Sequence, residues 1–79
     1  MKVLFYGSLA DAIGRELTLD ASGCSIAQLR DRLIADHPVA RQALRNRRTR
    51  ACVRDALVHD HHVVDQTDIV EFLPPVSGG

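Results

Sequence analysis

The sequence ends in Leu73-Pro74-Pro75-Val76-Ser77-Gly78-Gly79, and a carboxylate borne on two glycines is its clearest chemical handle. Gly loses more conformational entropy on ordering than any other residue. Two in succession beyond the last apolar run therefore serve reach better than stability. Pro74 and Pro75 fix φ and favour extended, unpaired backbone. The stretch from Pro74 to Gly79 spans roughly 20 Å at about 3.3–3.6 Å per residue. A stiff base and a thin tip suit delivery of a carboxylate into the narrow active site of another protein. A terminal carboxyl has a reference pKa of about 3.3–3.7 and is ionised at pH 7. In that form it is a poor electrophile and must be activated before a nucleophile can displace its oxygen. The chain has no Gly-rich phosphate-cradling motif, so activation is expected from elsewhere.

Other chemistry-bearing residues form weaker patterns. His59, Asp60, His61, His62 and Asp65 make a His-rich stretch. His59 and His61 would share one face of a strand, but no third ligand or CxxC-type spacing supports a metal site, and none is expected. Cys24 precedes a helix start, yet neither it nor Cys52 has a sequence partner for nucleophilic catalysis. The arginines at 41, 45, 47, 48, 50 and 54 make the middle basic, and Asp55, Asp60, Asp65, Asp68 and Glu71 make the final third acidic. Without interleaved aromatics and with a formal net charge of zero, the run does not read as a nucleic-acid site. It reads as a solvated helix end and loop, or as one side of a two-sided surface.

These residues must be positioned by one small domain of 79 residues with a modest core. Two cysteines give no disulfide framework. No apolar stretch approaches a membrane span, and Met1 to Tyr6 is too short for a signal-peptide core. A reducing, cytoplasmic setting is the expectation.

Lys2 to Tyr6 predicts a strand ended by Gly7-Ser8. Leu9 to Arg15 reads as a connection, and Glu16 to Asp20 alternates as a half-buried strand that forms a hairpin with the first. Ser25 opens a helix through a capping box with Gln28. Ile26, Leu29, Leu33 and Ile34 share its apolar face, while Arg30, Asp31, Arg32 and Asp36 lie largely elsewhere. Pro38 stops it. Val39 to Asn46 predicts a second short helix with Ala40, Ala43 and Leu44 inward. Arg50 to Arg54 predicts a strand, Asp55-Ala56 a turn, Leu57-Val58 a short pairing segment, and His61 to Val64 a possible further one. Asp65 to Asp68 is a polar turn before the last strand, Ile69 to Leu73. The order β-β-α-(α)-β-β-β implies an α+β domain over residues 1–73, a mixed sheet with one main helix on one face, followed by an extended tail over 74–79. Strand alternation points Val3, Phe5, Val53, Val70 and Phe72 inward and Lys2, Leu4, Tyr6, Cys52, Arg54, Ile69, Glu71 and Leu73 outward. Leu4, Tyr6, Ile69 and Leu73 would then form an apolar patch where the tail departs, a candidate docking surface.

The stretch Phe72 to Gly79 resembles the C-terminus of the small, sulfur-carrying subunits of molybdopterin synthase, in the ubiquitin-like MoaD/ThiS-type family. Val3-Leu4-Phe5-Tyr6-Gly7 with Gly14 is similar to that family's start, and Ala51-Cys52-Val53-Arg54 with Leu57-Val58 to its middle strand pair. The resemblance implies a ubiquitin-like β-grasp fold. It implies that an E1-like adenylyltransferase activates Gly79 with ATP and that a sulfur donor protein converts the acyl-adenylate to a thiocarboxylate. The tail would then enter the large synthase subunit, in a heterotetramer, and pass sulfur to cyclic pyranopterin monophosphate. This chain would bind no cofactor itself. Gly79 would carry the sulfur, Gly78 would pass a constriction, and Val76 and Ser77 would line the channel. Pro74 and Pro75 would limit the freedom lost on threading, and Tyr6, Leu4, Leu73 and Ile69 would dock the partner. A related carrier for thiamin, cysteine or tRNA thiolation, a ubiquitin-like modifier joined to a lysine amine, and a non-covalent binding module are the alternatives. Two departures stand out. Thr67 occupies a position where relatives often have Gly, and the arginine-rich segment matches no family pattern.

Overall fold

A computed structural model describes residues 1–21 and 23–75. Strands β1 (Lys2–Phe5), β2 (Glu16–Thr18), β3 (Arg50–Val53), β4 (Ala56–Val58) and β5 (Ile69–Leu73) form one sheet in the order β2-β1-β5-β3-β4. The two terminal strands, β1 and β5, lie parallel at its centre, with Val3 opposite Val70 and Phe5 opposite Phe72. The other pairings are antiparallel. Helix α2 (Ile26–Asp36) packs on one face of this mixed sheet. That is the β-grasp arrangement expected from the resemblance.

The core follows the alternation. Val3, Phe5, Ala51, Val53, Val70 and Phe72 are buried on the sheet's inner face beneath Ile26, Leu29 and Leu33 of α2. The Phe5 and Phe72 rings stack at 6.1 Å between centroids and 9° between planes. Helix α2 starts on the capping box, in which Gln28 N–H donates to Ser25 Oγ and Ser25 N–H to Gln28 Oε1. It stops before Pro38. A 3₁₀ turn, Pro38–Ala40, then leads into α3 (Arg41–Arg45), which places Ala40 and Leu44 in the core.

Four local expectations are corrected. Residues Ser8–Ile13 form helix α1, where an irregular connection was expected. Its Leu9 is fully buried, so β1 and β2 are antiparallel neighbours without being joined by a tight turn. His61 to Val64 adds no strand: Val63 makes an isolated bridge with Ser25. The backbone of this segment serves α2, since Ile26 N–H donates to His62 O and Ala27 N–H to Asp60 O. Two of the amides left unpaired at a helix start are thereby satisfied. The β3–β4 turn is Arg54-Asp55, not Asp55-Ala56, because Val53 pairs with Ala56. Both turn residues have positive φ, 51° and 64°, as a two-residue hairpin loop requires. Arg54 thereby leaves the strand, and its guanidinium donates to the buried Asp68 Oδ1 at 2.8 Å.

Arg30 is the last correction. It is not on the solvent side of α2 but 11% exposed. Its guanidinium donates to Leu44 O, Thr49 O and Asp60 Oδ1 and stacks over the Phe72 ring at 5.4 Å. A planar fork with several donors can tie four segments together in this way.

The 65–68 turn resolves the question posed by Thr67. Thr67 is not among the positive-φ residues. Instead Asp65 Oδ1 accepts from the Thr67 amide and hydroxyl, and Asp68 Oδ2 accepts from the Asp65 amide. The hydrogen bonds from the Thr67 hydroxyl and amide hold the Asp65 carboxyl below its usual range. Carboxylate side chains thus close this turn without a glycine.

Candidate functional site

The sheet's second face carries no helix. Strand register places Glu16, Leu4, Glu71, Cys52 and Leu57 in one row across all five strands. Ile69 lies beside Lys2, and Leu73 lies opposite Arg50. The four residues expected to dock a partner therefore share this face: Leu4 and Leu73 half-buried, Tyr6 and Ile69 exposed. Leu57 extends the patch on β4 and is 54% exposed. Its alternation with the inward Val58 was the available sequence signal, obscured by the brevity of the strand.

One carboxylate interrupts the apolar surface. Glu71 sits between Leu4 and Cys52, and the Tyr6 hydroxyl donates to its Oε2 at 2.5 Å. That hydrogen bond, reinforced by the carboxylate's charge, pushes the Tyr6 phenol above its usual range. The pairing turns the polar end of Tyr6 along the sheet and covers part of Glu71. Lys2 and Glu16 pair at the edge of the face.

The base of the tail continues from the end of β5. Pro74 and Pro75 are half-buried, and Pro74 lies against Gly7, just beyond the end of β1. A Cβ on Gly7 would stand 2.9 Å from Pro74 Cγ, and Gly7 has φ +60°. Space and backbone conformation both select glycine there. Gly7 is thus a positioning residue for the tail that the strand reading missed, since Gly7-Ser8 looked like ordinary strand punctuation. The expectations for Val76, Ser77, Gly78 and Gly79 lie outside the described residues.

The remaining candidates do not converge on this face. His59, His61 and Asp60 lie near Arg47 and Arg50, and among the described residues no three His, Cys, Asp or Glu side chains are gathered as metal ligands. Cys24 is half-buried against the core and Cys52 half-buried on the outer face, both as free thiols. Among the described residues no helix is long and apolar enough to cross a membrane.

The ThiS family matches residues 3–79. The molybdopterin synthase sulfur carrier subunit of Escherichia coli (strain K12) is 31% identical over 80 residues, covering 100% of this chain and 99% of that protein. Among solved structures, SAMP1 from Haloferax volcanii superposes with a TM-score of 0.80 at 19% identity, covering 99% of this chain and 97% of that one. A Pyrococcus furiosus protein provisionally described as molybdopterin converting factor, subunit 1, gives a TM-score of 0.76 at 18% identity, covering 95% of each. A β-grasp sheet with one bare face, a proline-based tail rising beside it and a family match over nearly the whole length agree: the chain belongs to the ThiS family of sulfur-carrier-type proteins.

Proposed function

We propose that this protein is the sulfur-carrier subunit of a molybdopterin synthase, working in the cytoplasm and carrying sulfur as a thiocarboxylate on Gly79. The observation that carries the reading is 31% identity, over the entire chain, to a molybdopterin synthase sulfur carrier subunit. In the proposed cycle an E1-like adenylyltransferase joins the Gly79 carboxylate to AMP and releases pyrophosphate. A sulfur donor protein then displaces AMP and leaves sulfur in place of one oxygen. The large synthase subunit accepts the tail, and the sulfur passes to cyclic pyranopterin monophosphate as the dithiolene is built. Hydrolysis returns Gly79 to a carboxylate. In this cycle the chain's own residues position and dock. Gly7 and Pro74 aim the tail, and Leu4, Tyr6, Ile69 and Leu73 seat the partner.

The test is the mass of the C-terminal peptide after incubation with ATP, an activating enzyme of proven activity and a sulfur source. Replacement of one oxygen by sulfur on the peptide ending Gly78-Gly79 is the expected result. An unchanged peptide would remove the carrier reading, and higher-mass conjugates on lysines in cell lysate would replace it with a protein modifier. Dithiolene formation on addition of the large subunit separates a molybdopterin carrier from one serving thiamin, cysteine or tRNA thiolation.

A further inference from the structure

The acids and bases of this chain are spent differently. Asp60 pairs with Arg30, Asp68 with Arg54 and Asp31 with Arg45, Asp65 closes its own turn, and Glu71 accepts from Tyr6. Among the described residues, Arg15, Arg32, Arg41, Arg47, Arg48 and Arg50 have no carboxylate partner within salt-bridge distance. Of these, Arg47 and Arg50 come together at one end of the molecule.

That end is concave. A cavity of about 390 Å³ is lined by Arg30, Arg47, Arg50, His59, Asp60 and His61, with Val58. It shares Arg30, Arg47 and Asp60 with a second, of about 340 Å³, that continues past Arg45 and Asp31 toward Ile34. The joined groove holds four guanidiniums against two carboxylates, and each carboxylate already has its own arginine. Two charges are left over, both from Arg47 and Arg50, with two imidazoles beside them. Arg30, almost buried and fixed by three acceptors, forms a rigid floor.

We propose that this groove binds an acidic segment of a partner protein. Charge complementarity selects a polyanion. Two neighbouring basins that share Arg30, Arg47 and Asp60, with cations lining both, suit a polypeptide carrying several carboxylates better than a single phosphoryl group. Arg50 lies opposite Leu73, the last residue before Pro74, so a segment seated here flanks the base of the tail. It would steer the partner's approach to the outer sheet face, whose border Arg50 shares. The inference goes beyond the proposed sulfur chemistry and does not depend on what Gly79 carries.

The experiment titrates an acetylated, amidated hexaglutamate peptide into the ¹⁵N-labelled full chain at low salt. Saturable shift changes confined to Arg47, Arg50, His59 and His61 and their neighbours are expected. Arg47→Gln/Arg50→Gln should weaken binding about tenfold, two exposed charge contacts' worth. Arg47→Gln, which sits in a surface turn, should give part of that loss and guards against misfolding of the double variant. Arg41→Gln/Arg48→Gln removes the same charge outside the groove and should leave binding within about twofold. Equal weakening by this control pair, shifts spread over other surfaces, or no saturable binding would overturn the proposal. So would pyrophosphate binding as tightly as the peptide at matched ionic strength, which would make the groove a phosphoryl-anion site.

Discussion

At the scale of single residues, Tyr6 and Glu71 decide how the outer face presents itself. The chain has one tyrosine and no tryptophan, so phenolate absorbance reports this pair alone. The Tyr6 phenol is raised by its hydrogen bond to Glu71 and by that residue's charge. Its titration midpoint is expected above the ordinary phenol value of about 10. Glu71→Leu should return it toward that value, and an unmoved midpoint would mean the pair does not form in solution. The sign of the linked stability follows. The fold favours the neutral phenol, so the pair's contribution is complete below the unfolded value and fades as pH rises through the folded midpoint. Glu71→Leu should flatten that alkaline decline while leaving Phe5 and Phe72, on the opposite face, undisturbed.

At the scale of elements, the contact between the β1 end and the tail base controls where the tail starts. Gly7→Ala places a Cβ against the Pro74 ring and imposes a positive φ on a residue that resists it. Strain of this kind costs about 1–3 kcal/mol. Thermal midpoints in a domain this small move roughly 4–8 °C per kcal/mol. Pro74→Ala removes the steric part but not the backbone part. The double variant Gly7→Ala/Pro74→Ala should therefore recover some of the loss, and strict additivity would show that the two residues do not touch. The same elements show what the sequence made legible. The capping box, the alternation of β1 and β5 and the stop at Pro38 each rest on local periodicity or local hydrogen bonding, and each appears in place. Helix α1 did not declare itself because six residues between glycines hold too few turns to display a period. The Arg54-Asp55 turn lacked the Asn-Gly signature of positive φ, since Asp68, distant in sequence, holds Arg54 there. Residues 61–64 offered a short strand, yet the His62 carbonyl is taken by the first amide of α2 and the Val64 carbonyl by Gly23. Arg30 was placed on the solvent side by helical spacing, whereas its three acceptors come from other segments. In the last three cases a long-range partner overrode the local pattern. The patch of Leu4, Tyr6, Ile69 and Leu73 was readable because strand parity alone puts them on one face. Its extension to Leu57 needed the register of β4.

At the scale of the whole molecule, one sheet separates folding from docking. Its inner face is sealed by α2, and removing Phe72 by Phe72→Ala should cost about 3–5 kcal/mol. Its outer face is open, and Ile69 there is 49% exposed, so Ile69→Glu should change stability by no more than about 1 kcal/mol. On the proposed reading the two surfaces and the tail then separate in a single-turnover assay of sulfur transfer. Thiocarboxylated protein is mixed with the large synthase subunit and pyranopterin substrate over a range of concentrations. Ile69→Glu places a further carboxylate on the face, two residues from Glu71, and should raise the half-saturating concentration about tenfold, with the plateau rate unchanged. An added residue after Gly79 should leave both thermal midpoint and binding intact and abolish transfer, because the thiocarboxylate must be terminal. If Ile69→Glu instead lowered the plateau rate at unchanged half-saturation, the outer face would act on tail placement. The docking role would then pass to the basic groove beside it.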